Sequence, residues 1–179
     1  MGNDLSTLPD FPAEIRAPAG SLAGVSSFQI HFSSQEIHTP GEKPDVLVAM
    51  NPAALKVHLK DLTPGGALII NKNAFTNKNL KLAGYDSDPT EDGSLEDYYS
   101  THFIEMSKMV ELACEGIDLS PKLIDRTKNL CALGVLFWMY DRPLEPTIDW
   151  LNKKFKSKPD VVEANVRALN TGYNYGDTA

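Results

Sequence analysis

The chain has 179 residues, 42% hydrophobic and 23% charged, which suits a soluble globular protein with a sizeable core. A net charge of −7 argues against broad electrostatic binding to nucleic acid or an anionic membrane, although it leaves room for one local basic pocket. No apolar run approaches the roughly 20 residues of a membrane span, and MGNDLSTLPD lacks the basic and apolar regions of a secretory signal, so a cytoplasmic location is expected.

Residues 1–25 are rich in Pro, Ala and Gly and read as an ordered loop, because each proline removes a donor and restricts the residue before it. Ser27 to Ser33 (SFQIHFS) alternates apolar and polar positions, as in a strand with one buried face, and Gln35 to His38 reads as its short returning partner. Asp45 to Met50 (DVLVAM) is a continuous apolar run, the pattern of a strand buried on both faces. Pro52 is well placed in a first helical turn, so Ala53 to Leu62 reads as a helix that Pro64-Gly65-Gly66 ends. Ala67 to Asn71 (ALIIN) is the next buried strand. Strand, helix, Gly-rich turn and strand make a βαβ unit, which implies parallel strands with helices packed over them.

Asn73 to Tyr99 is polar and turn-rich and reads as a solvated irregular loop with a short helix near Asn77 to Leu82. Its acidic cluster lacks the register of a calcium loop. His102 to Met106 reads as a further strand, and Ser107 to Gly116 as a helix capped by its glycine. Asp125 to Met139 is the most hydrophobic helix, with Leu130, Leu133, Leu136 and Phe137 as its apolar face and Ala132 and Gly134 small enough for close packing. Pro146 to Phe155 reads as an amphipathic helix with Trp150, Leu151 and Phe155 inward, and Pro159 to Leu169 as another with Val162, Val166 and Leu169 on one face. Trp138 is expected in a core or interface. Asn170 to Ala179 reads as a linker.

Chemistry-bearing residues are sparse. Cys114 and Cys131 are too few to hold an iron–sulfur cluster, and the four histidines are scattered without zinc-ligand spacing. No G-x-S-x-G elbow surrounds any serine, so no catalytic nucleophile is assigned. Without further information the residues describe a soluble α/β domain with a parallel sheet.

Five stretches add to this: PAEIRAPAGSLAGVSSFQI (Pro12 to Ile30), DVLVAMNPAAL (Asp45 to Leu55), PGGALI (Pro64 to Ile69), RTKNLCALG (Arg126 to Gly134) and NYG near the end. In this order and spacing they resemble the gamma-type domain of 2-oxoacid:ferredoxin oxidoreductases, most closely the part fused to the start of the alpha subunit in the 2-oxoglutarate type. The resemblance covers nearly the whole chain. It implies a Rossmann-like α/β fold over residues 1–169, with residues 170–179 leading toward a thiamine-binding domain not contained here. That family normally opens with a strand and a GDSGxG turn. The expectation is that one βα unit, roughly 30 residues, is missing before Met1.

In such enzymes a 2-oxoacid is decarboxylated on thiamine diphosphate with Mg, electrons leave through iron–sulfur clusters to ferredoxin, and coenzyme A captures the acyl group. The resemblance implies partners: a thiamine/iron–sulfur beta subunit, the rest of the alpha subunit, and ferredoxin for the whole complex. Thiamine diphosphate, Mg and the cluster would lie outside this chain, while coenzyme A is a possible ligand within it. The candidate contacts are Arg16, in a Pro/Gly loop where its guanidinium fork would hold a phosphate; Gly20 and Ser21, where backbone would approach a ligand; Asn51, at the end of strand DVLVAM; and Asn129, near the start of the buried helix. Asn51 serves equally well as a helix cap, Arg16 as an ion-pair partner of Glu14, and Asn129 as a structural polar group. Lys72 and Asn73 are weaker candidates past the strand ALIIN. No catalytic residue and no metal ligand is assigned. A non-catalytic assembly fragment of the same complex is the alternative. An unrelated nucleotide-binding domain fits less well, because it needs a phosphate-binding glycine turn that this chain lacks.

Overall fold

A computed structural model describes residues 4–10, 25–39 and 41–178. The chain divides into two compact units, Met1–Ile104 and Glu105–Ala179.

The first unit holds two sheets. Strands β1 (Asp4–Asp10) and β2 (Ser27–Ser33) pair antiparallel, with Leu5 opposite Phe32 and Thr7 opposite Ile30. This corrects two expectations: residues 4–10 are a strand, not a loop, and they, not Gln35 to His38, supply the partner of β2. Pro9 is tolerated in β1 because a strand paired on one side only does not need every N–H. The alternation in β2 is real, but Phe28 and Ile30 are 58% and 50% exposed, so the described residues do not bury the apolar face.

The second sheet is parallel, in the order β3 (Val46–Ala49), β4 (Ala67–Asn71), β5 (Ser100–Ile104). Ala49 lies opposite Ile70, and Asn71 opposite Ile104. Helix α1 (Pro52–His58) and a 3-10 turn (Leu59–Asp61) connect β3 to β4. A second 3-10 turn (Lys72–Ala74) and helix α2 (Asn77–Leu82) follow β4. β4 is central, and Leu68, Ile69 and Ile70 are sealed, as its unbroken apolar run requires. Ala49, Leu55, Leu62, Leu68, Ile70 and Phe75 form the core.

The polar stretch after α2 is more ordered than a solvated loop. Leu95 is buried in the core cluster, and Lys72 donates to Asp88 at 3.3 Å and also to Thr90. Burial pushes the Asp88 carboxyl up, but hydrogen bonds from the Thr90 hydroxyl and backbone N–H and the Lys72 ammonium outweigh it and hold the group below its ordinary range. Composition hid this anchoring, because a few buried side chains suffice to fix a polar segment.

The second unit is helical: α3 (Met106–Ala113), α4 (Pro121–Arg126), α5 (Lys128–Met139), α6 (Glu145–Lys154) and α7 (Pro159–Thr178). The single expected helix from Asp125 is two, α4 and α5, meeting at Thr127, whose hydroxyl donates back to the Ile124 carbonyl at 2.7 Å. α5 buries Cys131, Ala132, Gly134 and Val135, while Leu130, Leu133, Leu136 and Phe137 are half-buried. The large side chains therefore do not define the inner face, because α7 approaches the small ones. A Cβ on Gly134 would lie 2.1 Å from the Leu169 carbonyl oxygen, and one on Gly172 would lie 1.9 Å from that of Cys131.

That contact also corrects the end of α7. The helix does not stop at Leu169 but runs to Thr178, with Ala164, Ala168, Leu169, Gly172 and Gly176 buried. Glycine usually weakens a helix by about 1 kcal/mol, yet here it lets two backbones meet, and the packing outweighs the propensity. Trp150 does not point inward in α6: it is 50% exposed, with the Lys154 ammonium 4.2 Å over its ring, while Trp138 is 41% exposed and packs in part against Gly176. No described helix is long and apolar enough to cross a membrane.

Candidate functional site

The C-terminal rim of the parallel sheet gathers the polar residues of the first unit. Open α/β sheets bind ligands there because strand ends and following turns present free backbone groups and side chains on one edge. β3 ends at Ala49, two residues before Asn51, and the adjacent β4 ends at Asn71, followed by Lys72, so these three polar residues stand at the same edge of the sheet.

Asn51 is exposed, with extended backbone, and its Oδ1 accepts from the Ala54 N–H at 2.9 Å. It is the cap of α1, with Pro52 in the first turn. Its Nδ2 has no partner among the described residues, so one face of the amide remains available. Lys72 is engaged by Asp88, Thr90 and Glu91, which makes it an anchor of the loop and not an open cation.

Asn71 was missed by sequence reasoning, which took it as the last residue of a buried strand. It is 0% exposed, and neither its Oδ1 nor its Nδ2 has a hydrogen-bond partner among the described residues. Such an amide costs about 1–3 kcal/mol where an apolar residue would cost nothing. The signal in the sequence was a carboxamide ending an otherwise apolar run at the ligand edge.

Arg16, Gly20 and Ser21 lie outside the described residues. Asn129 belongs to the second unit, exposed in the first turn of α5, while Thr127 occupies the cap position. In that unit a cleft of about 660 Å³ lies between α4 and the start of α7, lined by Leu119, Leu123 and Phe155 with Arg126 and Lys158. Among the described residues no buried unpartnered polar group lines it, so the rim is the better candidate.

The thiols are structural. Burial pushes Cys131 up to about 11 and raises Cys114, so both are held protonated near neutrality. Among the described residues no group of three or more His, Cys, Asp or Glu side chains gathers as a metal cage.

Comparison with known proteins fits this architecture. Residues 1–175 match the family described as pyruvate ferredoxin/flavodoxin oxidoreductase. The chain is 52% identical over 178 residues to the 2-oxoglutarate oxidoreductase subunit KorA of Mycobacterium tuberculosis, covering 99% of this chain and 27% of that protein. The chain thus spans about a quarter of the length of that curated relative. Among solved structures it resembles a 2-oxoglutarate:ferredoxin oxidoreductase from Magnetococcus marinus, at a TM-score of 0.71 and 23% identity over 99% of this chain and 26% of that one. It also resembles the gamma subunit of a keto/oxoacid ferredoxin oxidoreductase from Geobacter sulfurreducens, at a TM-score of 0.59 and 16% identity over 99% of this chain and 82% of that one. At these identities the structures speak for the fold, and the family match, extending over nearly every residue, speaks for descent: the chain belongs to the pyruvate ferredoxin/flavodoxin oxidoreductase family.

Proposed function

We propose that this chain is a domain of a 2-oxoacid:ferredoxin oxidoreductase acting on 2-oxoglutarate, in which it helps to bind coenzyme A and to cover the thiamine site, and that it is inactive alone. The observation that carries the reading is the 52% identity to a 2-oxoglutarate oxidoreductase subunit across 99% of the chain. The Magnetococcus marinus enzyme, solved with 2-oxoglutarate, coenzyme A and succinyl-CoA, supports the same substrate pair.

The chemistry divides accordingly. Thiamine diphosphate supplies the carbanion-stabilising centre for decarboxylation, and an iron–sulfur cluster takes the electrons one at a time. Two buried cysteines do not furnish a cluster, and no described acidic group gathers a metal for a diphosphate. Those groups are assigned to a beta subunit and to the remainder of the alpha subunit. What this chain's residues offer is orientation: the free Nδ2 of Asn51 donates to a carbonyl or phosphate oxygen at the rim, and Arg16, Gly20 and Ser21 supply the phosphate grip.

Coenzyme A titrated into the purified chain by calorimetry tests the reading. Binding is expected, weakened by Arg16→Ala and by Asn51→Ala; a folded chain with no heat of binding would remove the coenzyme role. A second reading, an assembly module of the same complex, draws on one observation. Leu5, Phe28 and Ile30 are 60%, 58% and 50% exposed on one face of the β1–β2 pair, and that face carries no charge. It predicts capture of the purified beta subunit by a chain that binds no coenzyme.

A further inference from the structure

We propose that Asn71 is a binding residue of the rim, whose carboxamide pairs with the successive amides of a pantetheine arm; this rests on the coenzyme A reading and names the part of the ligand the strand end recognises. Its strand neighbours Leu68, Ile69 and Ile70 are all apolar and sealed, and no group among the described residues compensates the amide. Both polar atoms lack accessible surface, so no bridging water fits beside them. A leucine of similar size would pack there without penalty, so packing does not explain the amide.

The two orphan atoms are one acceptor and one donor. Their complement is a group offering an N–H and a C=O along one edge, which a peptide residue does and which the β-alanine unit between the two amides of pantetheine does when it is gauche about its CH2–CH2 bond. A lone phosphate or carboxylate offers acceptors only and would leave Oδ1 unpaired. Asn71 ends the central strand, where open α/β sheets meet their ligands. Because the amide is sealed, contact requires neighbouring chain to move. The adjacent 3-10 turn, Lys72–Ala74, has one internal backbone bond, Phe75 N–H to the Lys72 carbonyl, and is tied down by Lys72 to Asp88 and by the Asn79 amide donating to the Ala74 carbonyl at 2.8 Å, so ligand binding has to offset the opening of these contacts.

The test compares the full chain with Asn71→Leu, using thermal unfolding and calorimetric titration with coenzyme A, pantetheine and adenosine 3′,5′-bisphosphate. The leucine variant is expected to melt about 3 °C or more above the parent and to lose about 10- to 100-fold in affinity for coenzyme A and pantetheine, with bisphosphate binding unchanged. A lower melting temperature would show that the fold itself satisfies the amide and would overturn the proposal. So would equal losses for pantetheine and the bisphosphate, or an unchanged affinity for both. Asn71→Gln, which keeps the carboxamide, is expected to retain part of the pantetheine affinity; the same loss as in the leucine variant would count against amide recognition. A parent chain that binds neither coenzyme A nor pantetheine would remove the coenzyme reading and this inference with it. A leucine variant failing alone in capturing the beta subunit would place a polypeptide amide at Asn71 instead.

Discussion

Asn71 and Gly172 each break a local rule, in opposite directions and in different units. Gly172 puts the second-weakest helix former inside a helix of 20 residues, and the reason lies within the chain, since the Cys131 carbonyl occupies the space a Cβ would take. Asn71 puts a polar group inside a sealed strand, and no group among the described residues answers it. The glycine is explained by packing and reads as architecture. The asparagine is not, and unexplained violations of this kind are where function is to be sought.

The largest expected effect sharpens the architectural half. Gly172→Leu forces α5 and α7 apart and should cost about 4 kcal/mol or more, read as a lower urea midpoint by circular dichroism. Cys131 lies at that contact, with its thiol pushed up to about 11, so iodoacetamide should label it in the variant near pH 8 but not in the folded parent. A loss under about 1 kcal/mol would mean that the two helices are not locked together.

On the sheet side, Asn51→Ala removes the cap of α1 and should cost about 1 kcal/mol in thermal unfolding, while also weakening coenzyme A. Stability lost without any change in binding would make Asn51 a cap and nothing more. The smallest effect concerns Asp88. Its folded pKa lies below the ordinary 3.8, so its contribution is fully present above 3.8 and fades as the pH falls through the lower folded value. Asp88→Asn should therefore flatten the decline in melting temperature between about pH 4 and pH 2, leaving the neutral range nearly unchanged.

The sheet was easier to read than the helical pair. DVLVAM and ALIIN are apolar runs of strand length bounded by Asn-Pro and Gly-Gly, and the structure pairs them in parallel with β5. The helical unit misled because hydrophobic periodicity weights large side chains, whereas α5 and α7 meet through Cys131, Gly134, Gly172 and Gly176. NTGYNYGD has the composition of a connector, and only a partner helix at backbone distance turns it into a helix. β1 was hidden for a similar reason, since its pairing with Ser27–Ser33 bridges a long separation that local pattern does not encode. The cap role of Asn51 was legible from its place after a strand and before Pro52. Asn71 was not, because whether a strand-end carboxamide has partners is a property of packing.

Under the proposed function, ligand recognition resides at the sheet rim of the first unit while the helical pair is structural. Hydrogen–deuterium exchange of the full chain with and without coenzyme A tests it most directly. Added protection is expected in the peptides spanning residues 49–55 and 70–76, with α5 and α7 unchanged. Protection confined to residues 119–131 and 155–165, around the cleft between α4 and α7, would contradict it and move the site to the helical unit.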